Sequence, residues 1–266
     1  MKKECRDEIY ELIKSKLEKK LEEKKKDFGE SGYKPFFEAI FSKKELFTGS
    51  IIQSIYTTFG MSIYEQIAVI LAKHAGFEAK RQYTLKGEID AVTSSLISTH
   101  WNKLKTDLKN KVPVVSDKLK EIEMIKKSIK PGRPLVHGDS TVDVFIRKPD
   151  GTEYYFDITT VKNNLKSFEV LKLKMLTWIA LRASTDKSVN AHSMIVIPYN
   201  PYHPEDYISS QWNSTILDRK YDILVQEDFW NLVGDDENTF QDLLSIFRQV
   251  GNEMKEDIED FFNQKF

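Results

Sequence analysis

The chain has 266 residues, with 40 Lys and Arg against 41 Asp and Glu, a formal net charge of −1, and 40% hydrophobic and 30% charged residues. That length supports one large domain or two small ones around a sizeable core, and the near-zero charge excludes a protein that coats nucleic acid without discrimination. No apolar run reaches the roughly 18 residues of a membrane span, the first twenty residues lack the apolar stretch of a secretory leader, and the single Cys5 makes no intrachain disulfide; a cytoplasmic protein without a membrane partner is expected.

Residues 3 to 26 place Ile9, Leu12, Ile13, Leu17 and Leu21 on one helical stripe. This predicts a helix that docks by a narrow seam or contributes to a dimer contact. "FGESGYKP" breaks it with two glycines and a proline, and residues 35 to 47 read as a second, short helix. Ile63, Ile67, Ile70 and Leu71 then recur at helical spacing, Gly76 suits the position just past the helix end, and Glu65 lies early in that helix. "EAKRQYTLKGEIDAVTSSLIS" reads as a β-hairpin turning at Lys86-Gly87. Residues 100 to 130 return to helical spacing through Trp101, Leu104, Leu108, Ile122 and Ile125, and "KPGRPLVHGDST" reads as a loop.

Residues 142 to 161 form the clearest hairpin of the chain. "SFEVLKLKMLTWIALRAS" follows as a strong helix, with Ser167 as its expected cap. "SMIVIPYN" is a buried strand, "PYHPEDY" a proline-broken loop, "KYDILVQEDFW" a last short strand, and two acidic-faced helices finish the chain. Strands alternating with helices predict an α/β protein, a central mixed β-sheet flanked by helices. One domain over residues 1–266 is preferred, with a helical extension at 1–48, a core at 60–200 and a helical part at 201–266.

Each strand of the hairpin "VDVFIRKPDGTEYYFDITTVK" carries an aspartate where a buried strand should be apolar. Side chains alternate faces along a strand, so Val142, Val144 and Ile146 point one way and Asp143, Phe145 and Arg147 the other. Pairing outward from the turn at Asp150 sets Arg147 against Glu153, Phe145 against Tyr155, and Asp143 against Asp157. Directly opposed residues have Cβ atoms about 4.5–5.5 Å apart, so two carboxylates there repel, and the flanking aromatic groups sharpen the conflict. A retained proton, an intervening basic side chain or a divalent cation would each relieve it. Mg²⁺ suits such a pair, because it takes one or two carboxylates together with phosphate oxygens.

Asp143, then Asp157-Ile158-Thr159 on the next strand, resembles the PD-(D/E)xK nuclease active site. In that arrangement the acidic pair holds one or two metals that polarise the scissile phosphate and lower the pKa of the attacking water. The third position normally supplies a lysine. Thr159 stands there instead, and Lys162 lies three residues further on. A competing pair, "GEID" at 87–90 with Asp107-Leu108-Lys109, fails because Asp107 sits in helical spacing.

"FDITTVK", the "VLKLKMLTWIALRAS" helix, "VIPYNPYHPEDY" and "DFWNLVGDDENTFQDLLSIFRQVG" are similar to type II restriction endonucleases of the TdeIII/MjaII kind, over roughly residues 60 to 255. The resemblance implies a PD-(D/E)xK restriction-endonuclease-like core and a homodimer. It further implies Mg²⁺-dependent cleavage of double-stranded DNA at a short palindrome, GGNCC being the suggested target. Asp143 and Asp157 would hold metal, Thr159 or Lys162 would place the water, and Glu65 would assist. Arg133 and His137 before the first strand, and Asn163, Asn164 and Lys166 after the second, are candidate DNA contacts. The alternatives are a repair or structure-specific nuclease on the same core, and a DNA-binding domain whose catalytic site has decayed, to which Thr159 points.

Overall fold

The computed structural model describes residues 1–26, 35–113, 116–130, 135–137, 140–159, 162, 164–209 and 216–263. Its centre is a five-stranded sheet formed by β1 (Glu78–Leu85), β4 (Ser140–Arg147), β5 (Glu153–Ile158), β6 (Ala191–Ile197) and β7 (Ile223–Val225), in the spatial order β1-β4-β5-β6-β7. The first three strands pair antiparallel, and β5, β6 and β7 run parallel, so the expected mixed sheet is present. The parallel step from β5 to β6 requires a crossover, made by α7 (Leu165–Thr185).

Helices cover both faces. One core joins α1 (Lys3–Lys26), α3 (Lys43–Thr58), α4 (Tyr64–His74), α8 (Glu227–Gly234), α9 (Thr239–Glu253) and α10 (Lys255–Asn263) to Val144, Ile146, Phe156 and Val196 of the sheet. The opposite core joins α5 (Ala91–Lys109), α6 (Lys118–Ser128) and α7 to Leu85, Phe145 and Tyr155. The α1 stripe serves the first of these: Cys5, Ile9, Ile13 and Leu21 are buried within the chain's own core. Gly76, at φ +86°, ends α4 as its position predicts.

Several elements differ from the sequence expectation. Residues 35 to 47 divide into the single turn α2 (Pro35–Glu38) and the start of α3, whose capping box pairs Ser42 with Glu45. No hairpin turns at Lys86-Gly87: β1 pairs with β4, and the chain enters α5 at once through the N-cap Asp90, which accepts from the Val92 and Thr93 N–H groups. Gly87 is there for proximity, since a Cβ would fall 2.3 Å from the Leu181 carbonyl oxygen. The presumed loop before β4 contains a short strand, β3 (Leu135–His137), paired with β2 (Ile89–Asp90). Asn164, not Ser167, caps α7, accepting from the Ser167 N–H at 2.9 Å. Three helices, not two, close the chain.

Face alternation also breaks at one level of the sheet. Ala79 lies in the first core and Tyr83 and Leu85 in the second, although all three should share a face. The exchange occurs at Gln82, whose φ is +46°. Val142 likewise joins the second core while Val144 and Ile146 join the first. In the register of β1 with β4, the residue opposite Gln82 is Asp143.

Candidate active site

The β4–β5 ladder sets Arg147 against Glu153 and Phe145 against Tyr155 and runs to Val144 opposite Phe156. Asp143 and Asp157 come next, at the end of the paired region. There the Ile158 N–H donates to Asp143 Oδ2 at 3.0 Å. Burial, and then the neighbouring Asp157 charge, push the Asp143 carboxyl up from 3.8 to about 6, against the opposing pull of the Ile158 N–H and Lys174. Asp157 is only 6% exposed, and its Oδ2 accepts from the Lys174 ammonium on α7.

Glu65 is the third carboxylate. It stands in the first turn of α4, directly after a π-helical turn at Phe59–Ile63, the kind of local distortion that concentrates at functional sites. It is buried, not displayed on the helix surface: 5% exposed, paired with Arg81 Nη2 at 3.0 Å, and accepting from Gln82 Nε2 at 3.1 and 3.2 Å. Arg81 and Gln82 are adjacent in the strand, yet both reach it, because the left-handed backbone at Gln82 turns its side chain out of the usual alternation. A cavity of about 620 Å³ is lined by Glu65, Gln82, Asp143, Ile158, Thr159 and Tyr199, among others.

Thr159 thus joins the acids at the cavity, its N–H donating to the Val196 carbonyl at 3.1 Å. Lys162 is exposed and stands 5.8 Å from the centroid of the Tyr202 ring, turned to that ring and not to the carboxylates. Asn164 is committed through its side-chain oxygen to capping α7, and Lys166 is exposed on the first turn of that helix. Arg133 and Asn163 lie outside the described residues, as does the His137 side chain, whose backbone is in β3. The competing pair dissolves: Asp90 caps α5, and Asp107 pairs with Lys103 along the same helix at 2.6 Å. Cys5 is buried, and burial pushes its thiol up to about 11, far from a nucleophile's thiolate.

Among the described residues no three His, Cys, Asp or Glu side chains gather closely enough to cage an ion. Two adjacent carboxylates, one held out of its ordinary range by burial and then by the other's charge, suit instead a hard cation that completes its shell with water and phosphate. The groups that sequence reasoning missed are Lys174, which no motif marks, and the Arg81–Gln82 pair that holds Glu65. Lys174 and Trp178 sit one helical turn apart, the ammonium 4.8 Å from the indole centroid; that spacing was the available signal.

The site stands within a familiar group of sequences. The family model described as type II restriction endonuclease HinfI matches residues 1–251. The chain is similar to the type II restriction enzyme HgiCII of Herpetosiphon aurantiacus, 21% identical over 222 residues that cover 82% of this chain and 77% of that enzyme. HgiEI of the same organism is 23% identical over 224 residues, with the same coverage. MjaII of Methanocaldococcus jannaschii is 25% identical over 219 residues, 78% of this chain and 56% of MjaII. With a fold of the expected kind and a match over nearly its whole length, the chain belongs to the HinfI family of type II restriction endonucleases, site-specific deoxyribonucleases.

Proposed function

We propose that this protein hydrolyses phosphodiester bonds of double-stranded DNA at a short palindromic site, GGNCC being the target suggested by the resemblance, and that it does so with Mg²⁺ and as a homodimer. The observation that carries the catalytic part is the conflict at the sheet end. Asp143 is pushed up to about 6 by burial and by Asp157, beside a cavity that Glu65 and Thr159 also line. A protein that needed only stability would place apolar residues there.

Asp143 and Asp157 are the residues to hold the cation; when bound, it would polarise the phosphate and acidify a water. Around it, the chain's own groups fix positions. The Ile158 N–H holds one oxygen of Asp143, leaving the other for a ligand. Arg81 and Gln82 hold Glu65 in place at the cavity wall. Thr159 lines the same wall, and Lys166 at the exposed start of α7 is placed to meet a backbone phosphate. A two-fold site in DNA is met most simply by a two-fold protein.

The test is incubation of several plasmid and phage DNAs with the protein and Mg²⁺, beside an Asp157→Ala control. Discrete bands that vanish in the control are expected, and mapping their ends reads the target. Random nicking, or cutting confined to flaps and junctions, would move the activity to a different nuclease class. Metal-independent binding without cutting would favour a decayed site, the reading to which the neutral Thr159 points.

A further inference from the structure

We infer that Lys174, on helix α7, supplies the positive charge that the third motif position lacks, placing its ammonium beside the attacking water and the scissile phosphate. The inference rests on the nuclease reading above and names a catalytic residue within it. Phosphate hydrolysis builds negative charge on the phosphoryl oxygens, and a fixed cation aimed there stabilises that charge. Thr159 is neutral, so the charge must come from elsewhere.

Among the described residues, the other cations around the site are engaged at a distance from the aspartates. Arg81 pairs with Glu65 at 3.0 Å, and Lys162 stands over Tyr202. Among the described residues, Lys174 alone is seen to touch a member of the aspartate pair, through Asp157 Oδ2, and its charge also acts on Asp143. Its direction is fixed by packing. The ammonium lies 4.8 Å from the Trp178 ring centroid, and the Trp178 indole N–H donates to Ser140 Oγ at 3.0 Å, at the start of the strand that carries Asp143. A lysine that only neutralised a buried aspartate would be enclosed with it, yet the Lys174 side chain is 37% exposed while that of Asp157 is 9%. The Lys174 side chain is therefore partly open to solvent while its ammonium is held at Asp157.

In the step itself, the oxygen of one water forms a bond to phosphorus as a bridging P–O bond breaks. The water's proton leaves to solvent, and the departing alkoxide takes one from solvent. Lys174 keeps its protons throughout and contributes charge and hydrogen bonds to the water and to a phosphoryl oxygen.

The experiment compares wild type, Lys174→Gln, and the double variant Thr159→Lys/Lys174→Gln, which moves the cation back to the strand. Three quantities are read: Mg²⁺-dependent cleavage of plasmid DNA, duplex binding in EDTA by gel shift, and melting temperature. Lys174→Gln should slow cleavage by about 100-fold or more, the scale of losing one group that stabilises developing charge. Its duplex binding in EDTA should be unchanged, and the double variant should cut discretely again. Wild-type cleavage by Lys174→Gln overturns the proposal and leaves the nuclease reading intact. Loss of duplex binding along with cutting also overturns it, making Lys174 a phosphate anchor. If Lys174→Gln does not fold, the double variant decides, because the Thr159→Lys change restores a cationic partner for Asp157: a folded double variant that does not cut overturns the proposal. A wild-type protein that cuts no DNA with Mg²⁺ or Mn²⁺ removes the nuclease reading and this proposal together.

Discussion

Two of the lysines of helix α7, Lys172 and Lys174, stand two residues apart and enter opposite kinds of charge cluster. Lys172 is fully buried, with its ammonium 2.5 Å from Glu121 Oε2, 2.5 Å from Asp222 Oδ2 and 2.8 Å from Ser116 Oγ. Lys118, also buried, pairs with the other oxygen of Asp222 at 2.9 Å, and His100 meets Glu121 at 2.9 Å. Two lysines thus face two carboxylates. Burial alone would lower the pKa of Lys172, but Asp222 and Glu121 outweigh it and raise it; for Asp222, burial is outweighed by Lys118 and Lys172, and its pKa falls. Around Lys174 the balance is different. Three carboxylates, Asp143, Asp157 and Glu65, face Lys174 and Arg81, and burial, followed by the neighbouring Asp157 charge, raises the pKa of Asp143. The balanced cluster locks α6 and the strand β7 region to α7. The unbalanced one, at a cavity, retains an unmet demand for positive charge that a metal can answer.

The largest effect that tests this contrast comes from Lys172. Replacing it by methionine leaves Glu121 and Asp222 buried with a partner lost, which should cost about 3–5 kcal/mol in urea unfolding. Lys174→Gln, on a partly exposed pair, should change stability by no more than about 1 kcal/mol. Equal losses at the two positions would erase the distinction between a lock and a site.

The next effect isolates the surplus charge. Asp143 titrates near 3.8 when unfolded and about 6 when folded, so between those values the folded state binds more protons. Stability in EDTA should therefore fall as pH rises from about 4 to 6 and level off above that. The shift corresponds at most to about 3 kcal/mol; with the side chain partly open to water, about 1 kcal/mol is expected. Asp143→Asn, which still accepts the Ile158 N–H, should remove that slope and stabilise the metal-free protein at pH 8 while abolishing cleavage. Parallel stability curves for the two proteins between pH 4 and 8 would show that burial of this carboxylate carries no cost. Adding Mg²⁺ should then raise the melting temperature of wild type, because a ligand bound only by the folded state stabilises it, and should leave Asp143→Asn where it was.

The hairpin was the most legible part of the chain. Asp150-Gly151 forces a tight turn, with Gly151 at φ +85°, and a turn fixes register, so Arg147–Glu153 and Phe145–Tyr155 followed from counting. α4, α7 and the mixed sheet were legible from periodicity. What escaped depended on contacts between elements distant in sequence. Gly87 looks like a turn residue but makes room for the backbone of α7. "AVTSSLIS" has strand-like composition, and only Asp90 as a cap turns it into a helix. Lys174 lies in a lysine-rich helix where only Trp178, one turn further on, separates it locally from Lys172 and Lys166; its role depends on which strand end the helix crosses. Glu65 was legible as a candidate, but its burial was not, because Arg81 and Gln82 reach it together only through a backbone conformation that no residue type announces.

That conformation gives the smallest and most discriminating effect. A non-glycine residue in the left-handed region costs about 1–2 kcal/mol, and Gln82 adopts it at φ +46° opposite Asp143. Gln82→Gly would remove that strain and at the same time remove the amide that donates to Glu65, a hydrogen bond to a charged acceptor that contributes a comparable amount. The two effects nearly cancel, so melting temperature should move little, by the equivalent of about 1 kcal/mol or less. Cleavage should nevertheless fall several-fold, since Glu65 would keep only Arg81 and lose its fixed orientation toward the cavity. Full cleavage by a Gln82→Gly protein of raised stability would instead show that the strain at this position serves only the exchange of strand faces between Ala79 and Tyr83, and that Glu65 needs no second support.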